Sequence, residues 1–179
     1  MKIIIVILIS FLYSCSLDND LIDYYNDCND TEIEFKTSTI FLENNLHKFP
    51  MKVYVAENQR QYERGLMCIR NLPKEIDGMI FKYELEQNNA FWMYKTYIPL
   101  SIIYFDKYGT SVSKSNMVPC KRDILESKKS HKERCYLESK KYSPKNNYLN
   151  ALEISNEYLF INEIMSSKDS EDIQLIINY

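Results

Sequence analysis

Apolar residues recur along this chain in two different rhythms. From residues 35 to 42 they alternate with Thr and Ser, and from 49 to 56 (FPMKVYVA) Val53 and Val55 fall on one face. Period two is the mark of a half-buried strand, and the polar Glu43-Asn44-Asn45 between the two runs predicts a hairpin. Residues 57–68 change to helical spacing, with Asn58 as a cap and Tyr62, Leu66 and Met67 on one side, before Gly65 and Asn71 weaken the helix. Leu72-Pro73 opens a loop, and Gly78-Met79-Ile80-Phe81 begins another strand.

Residues 91–109, FWMYKTYIPLSIIYFDKYG, hold the only tryptophan and read as strand, turn, strand. Pro99 lacks an amide donor and fixes φ, so it belongs at a strand start, with the apolar run 100–105 after it and a turn at Asp106-Lys107-Tyr108-Gly109. Further strands are expected at 110–118, 147–154 and 173–177. A second helix is expected at 155–165, with Leu159, Ile161 and Ile164 inside. Many short strands and one or two short helices predict a mainly β (α+β) single domain, a compact sandwich or barrel.

Composition adds an address. Hydrophobic residues at 45% and charged ones at 26% fit a globular protein, and three glycines in 179 residues mark backbone positions that need one. Lys2 followed by the apolar run 3–12 reads as a signal segment, because a spanning helix needs about 20 apolar residues. The run ends in Leu12-Tyr13-Ser14-Cys15, which resembles the lipobox of bacterial lipoproteins. That resemblance implies cleavage after residue 14 and acylation of Cys15; an ordinary cleaved signal or an uncleaved anchor would leave Cys15 incidental. Residues 15–34 would then be an acidic tether, since Ser16 to Glu34 carries seven acids and no Lys or Arg. The domain would be 35–179, exported and held on the periplasmic or outer surface of a bacterial envelope. Nucleic acid is excluded as a partner by net acidity and this address.

Arg64-Gly65-Leu66-Met67, Leu72-Pro73, Gly78-Met79-Ile80-Phe81, Phe91-Trp92-Met93, Thr96, Ile98-Pro99-Leu100 and Phe105-Asp106-Gly109 follow one another in order. In that order and spacing they resemble the bacterial and archaeal family called domain of unknown function 192. The resemblance implies a compact, mainly β domain without established activity. The chain departs from the family at three places: Tyr94-Lys95 replaces Lys-Asn, Ser101 replaces an Asp, and Asn156 and Ser170-Glu171-Asp172 stand where Gly-rich turns are usual. Ser101 cannot supply that Asp's charge.

Met117-Val118-Pro119-Cys120 and Cys135, followed by Tyr142-Ser143-Pro144, look like the family's cysteine-bearing loop, here with a Lys-rich insertion. In an exported protein the two cysteines point to a disulfide rather than a metal or redox pair, and two free thiols are the other outcome. Closing a ~15-residue loop stabilises by about 3 kcal/mol in the chain-entropy account. Cys28 has no evident role, and Cys68 reads as a small buried hydrophobe. Residues 121–145 carry nine Lys/Arg against four Asp/Glu. They read as a solvated loop, with contact to anionic head groups or an acidic envelope protein as the sharper alternative.

No metalloprotease, hydrolase, P-loop or dinucleotide motif occurs, and the two histidines, His47 and His131, lie in a turn and in the basic loop. No catalytic, metal or cofactor set is expected. The candidate site is Arg64, Trp92, Met93, Thr96 and Asp106. Trp92 could wall a cleft, Arg64 clamp an anion and Thr96 donate a hydrogen bond. Against this, Trp92 and Met93 could simply be core, and Arg64 a surface ion pair or helix-end cation. A small anionic or sugar-like ligand suits this set better than catalysis does. The expectation is an anchored lipoprotein that binds a ligand or partner without turnover. The alternatives are an enzyme with a site at Arg64, Trp92 and Asp106, or a structural envelope protein.

Overall fold

A computed structural model describes Cys28, 33–166 and 173–177. The signal segment, Cys15, nearly all of the tether and Ser170-Glu171-Asp172 lie outside the described residues. The chain divides into two units, Met1–Asp30 and Thr31–Tyr179, and the sheet belongs to the second.

Seven strands form one curled sheet: β1 (Lys36–Glu43), β2 (Lys48–Ala56), β3 (Gly78–Gln87), β4 (Leu100–Phe105), β5 (Ser111–Met117), β6 (Tyr148–Ser155) and β7 (Gln174–Ile177). Their order is β5-β4-β6-β3-β2-β1-β7. The predicted hairpin is the β1–β2 pair, with Ile40 opposite Met51 and Leu42 opposite Phe49. β2 and β3 are parallel, so a crossover must join them, and it carries helix α1 (Gln59–Arg64). Asn58 caps α1 by accepting the Gln61 N–H, and Gly65, at φ +46°, ends it. The sheet's two edges meet at one end. There the Leu175 N–H donates to the Gly109 carbonyl (2.8 Å) and the Ser111 N–H to that of Ile173 (2.9 Å). The product is a half-barrel rather than two packed sheets.

Both faces of the sheet are covered, which is why all six residues of β4 are buried. One face gathers Ile40, Leu42, Val53, Ile80, Ile103, Phe105, Leu152 and Ile154 under α3 (Ile161–Ser166). The other gathers Ala56, Met79, Phe81, Leu100, Ile102, Tyr104 and Ala151 beneath Leu66, Met93, Tyr94 and the Cys120–Cys135 disulfide.

Four sequence expectations are corrected. Residues 91–95 form no strand: beyond one bridge from Tyr94 to Cys120 they cross over the sheet. Lys95 takes φ +55°, a left-handed value that breaks regular strand geometry at that residue. Leu159 is 83% exposed, because the helix starts only at Ile161. The Lys-rich insertion is not merely a solvated loop. It folds a third helix among the described residues, α2 (Lys128–Glu138), capped by Ser127 and continued by a 3₁₀ turn (Ser139–Tyr142). Finally, Cys68 is half-buried and disulfide-bonded, as is Cys28.

Candidate functional site

The segment 87–92, leaving β3 and crossing toward β4, forms one wall of a cleft of about 230 Å³. α1 contributes Gln59, Tyr62 and Glu63; β3 contributes Tyr83 and Gln87; the crossing segment gives Asn89, Phe91 and Trp92; β6 gives Tyr148. Five aromatic rings therefore meet two glutamines, one asparagine and one carboxylate. The rings brace each other: Tyr62 and Tyr83 pack at a tilt, 4.5 Å between centroids, and Tyr148 packs edge-on to Tyr83 at 5.9 Å. Hydrogen bonds fix their tips. The Tyr148 hydroxyl donates to the Asn89 carbonyl (3.0 Å), and the Tyr62 hydroxyl to that of Lys82 (2.5 Å). Burial pushes the hydroxyls of Tyr83, Tyr104 and Tyr148 far above the ordinary phenol range, so each stays neutral.

Behind this wall lies a charge problem. Glu153 is 4% exposed, its register partners are Met79 and Ile102, and one carboxylate oxygen has no hydrogen-bond partner. Desolvation raises its carboxyl to about 8. Sequence reading missed it, although the signal was present: one Glu inside the apolar run Ala151-Leu152-Glu153-Ile154.

Of the expected site residues, only Trp92 lines the cleft. Its ring is half-buried, tilted against Tyr94 at 5.2 Å. Met93 and Thr96 are 1% and 5% exposed and sit in the packed layer beneath. Asp106 belongs to the β4–β5 turn, where its carboxylate accepts the N–H groups of Tyr108 and Thr110 at 2.8 and 2.9 Å. Arg64 is the last residue of α1 and does not line the cleft. The cation placed over Trp92 is Lys132 of α2, 5.9 Å from the ring centroid. Sequence could not pair these two, forty residues apart, without knowing that the insertion folds back as a helix. Ser101, where the family has Asp, is fully buried within hydrogen-bond distance of Asn116 (2.8 Å) and Asn156 (3.0 Å).

The expected disulfide is present: Cys120 and Cys135 are joined at 2.11 Å. His131, one turn before Cys135 on α2, is fully buried with Nε2 at 2.7 Å from the Cys120 carbonyl. Its nitrogen and the two sulfurs lie within 4.8 Å of one another, but the sulfurs are bonded to each other and so do not ligate a metal in this state.

No curated protein matches the chain. It is similar in fold to a crystal structure from Sinorhizobium meliloti 1021, of a protein to which a transcription-regulator role has been ascribed. That match has TM-score 0.60 and 20% identity over 81% of this chain and 96% of that one. A protein of unknown function from Novosphingobium aromaticivorans DSM 12444 is similar with TM-score 0.56 and 17% identity, over 83% of this chain and 94% of that one. At such identities both show the fold alone. The family DUF192, described as "Uncharacterized ACR", matches residues 40–155, from within β1 to the end of β6 and including the crossing segment with Trp92. The chain belongs to the DUF192 family.

Proposed function

We propose that this protein is an envelope lipoprotein that binds a small hydroxylated, sugar-like ligand in the Trp92 cleft without chemical turnover. The observation that carries the ligand reading is the lining itself. Aromatic faces pack against the C–H surfaces of a sugar ring, while Gln59, Gln87 and Asn89 offer both donors and acceptors to its hydroxyls. Lys132 at Trp92 can meet an acidic group on the same ligand, the role that the sequence suggested for Arg64. Glu63 is the only carboxylate of the lining, and no histidine accompanies it, so an acid/base pair is not assembled there. The lipid anchor rests on the lipobox-like run ending at Cys15.

A panel of neutral and acidic oligosaccharides, titrated into the protein and followed by calorimetry, tests this. At least one class should bind, and Trp92→Ala should weaken it at least about tenfold, or 1.4 kcal/mol. No binding at millimolar saccharide, or equal binding by Trp92→Ala, would sink the reading. A purely structural role would then be favoured by the burial of Met93 and Thr96 beneath the same segment.

A further inference from the structure

Five large hydrophobic side chains left in solvent come from one stretch, between Val118 and Leu137. Ile124 and Leu125 are the extreme pair, 92% and 88% exposed. They are the two central residues of a turn closed by the Glu126 N–H donating to the Asp123 carbonyl at 3.0 Å. Such positions usually carry Gly, Asn, Asp or Ser, so an Ile-Leu tip calls for a reason.

The turn is also held firmly from behind. Arg134 of α2 grips the Glu126 carboxylate through Nε (2.9 Å) and Nη2 (2.8 Å), and Nη2 reaches the Lys121 carbonyl (2.6 Å). Arg122 Nε donates to the Glu126 carbonyl (2.6 Å), and the Cys120–Cys135 disulfide fastens the base of the segment. The apolar tip is therefore presented ready-made, and little further ordering is needed for it to insert.

The turn and the helix after it also carry cations. Lys121, Lys129, Lys132, Lys140, Lys141 and Lys145 are exposed. Among the four acids of 121–145, Glu126 and Glu138 are both engaged by Arg134. The stretch thus carries a local excess of positive charge on an otherwise acidic chain.

We propose that the turn 123–126 and α2 form a membrane-docking surface, with Ile124 and Leu125 entering the interface of an anionic bilayer and the lysines lying against its head groups. Apolar insertion and head-group attraction together give interfacial binding that neither gives alone. The contact requires neither a ligand in the cleft nor acylation at Cys15. It would fix which way the domain faces, with Lys132 and the Trp92 rim beside the bilayer.

The test uses the chain from residue 15 with Cys15→Ser, which cannot be acylated, in flotation with two vesicle types. One is phosphatidylcholine alone; the other contains about one-third phosphatidylglycerol. The protein should float with the anionic vesicles only, and flotation should fall as salt rises from about 0.1 to about 0.5 M. Ile124→Ser/Leu125→Ser and, separately, Lys129→Glu/Lys140→Glu/Lys141→Glu should each weaken binding at least about tenfold at unchanged melting temperature. Should the double serine variant melt early, Leu125→Ser alone replaces it. Wild type that ignores both vesicles, or a serine variant that floats as well as wild type, overturns the proposal. So does equal flotation with neutral lipid. Wild type that ignores lipid but crosslinks through α2 to an envelope protein makes the surface a protein interface and equally overturns it.

Discussion

Glu153 is a carboxyl set among apolar neighbours. It stands between Met79 and Ile102 with one oxygen unsatisfied, and the tyrosines that reach it electrostatically, Tyr83 and Tyr104, are themselves buried and neutral. Its folded carboxyl titrates near 8, against an ordinary value of 4.5. Between those two pH values the unfolded chain has released a proton that the folded chain still holds. Glu153 therefore lowers stability progressively as pH rises from about 4.5 to about 8, and adds no such penalty below 4.5. Glu153→Gln removes the titration while keeping the shape. Chemical denaturation should find the variant more stable at pH 7, by on the order of 2–3 kcal/mol, with the gap closing toward pH 4. A gap that does not change with pH would mean that the carboxylate is ionised and satisfied in the fold. The Asp106 side chain is instead hydrogen-bonded by two backbone N–H groups, and its duty is the turn.

Among the elements, the β3–β6 pairing depends on a glycine for reasons of space. Gly78 has no left-handed backbone, but a Cβ there would stand 2.0 Å from the Glu153 carbonyl oxygen across the ladder. Backbone cannot yield as a flexible side chain can. Gly78→Ala should cost more than about 3 kcal/mol or abolish soluble folding, read as the midpoint of urea unfolding. A midpoint within the error of wild type would show that β6 can shift without loss. Gly65 and Gly109, at φ +46° and +81°, serve instead as a helix stop and a tight turn. The motif glycines of the family are thus explained by packing and turns, whereas Trp92 is set in an open cleft. α2 shows how an element can hide in a charged sequence. Its apolar contacts are few, and it is held by the disulfide, by buried His131 and by Arg134, which keeps the Glu126 carboxyl down at about 2.

For the whole molecule the open matter is attachment. Among the described residues no helix is long and apolar enough to cross a membrane. A lipid on Cys15 would supply an anchor with no such helix, since two or more acyl chains hold where one does not. Cells fed labelled palmitate should incorporate it into wild type and not into Cys15→Ala. Equal labelling of the two would reduce the leader to a plain secretory signal, while leaving the docking surface of α2 to its own test.

The strands were legible because period-two alternation reflects a local fact: successive side chains on a strand point to opposite faces. Hence 35–42 and 49–56 could be placed to within a residue or two, 100–105 was marked by its apolar run after Pro99, and the family could be recognised from motifs whose glycines and apolar residues build the sheet. The disulfide was legible because the resemblance placed both cysteines in one loop. Other features depended on contacts distant in sequence. Residues 91–95 have the composition of a strand, yet with the left-handed turn at Lys95 and contacts to α2 they put Phe91 and Trp92 in the wall of a cleft and bury Met93, Tyr94 and Lys95. Arg64 and Asp106 were joined to Trp92 by motif order alone, and folding sent the first to a helix end and the second to a turn. Tyr62, Tyr83 and Tyr148 come from three separate elements, so only the parallel β2–β3 crossover and the β3–β6 pairing could bring their rings together. The chain's local pattern determined the strands; the order in which the sheet pairs them decided where the cleft would be.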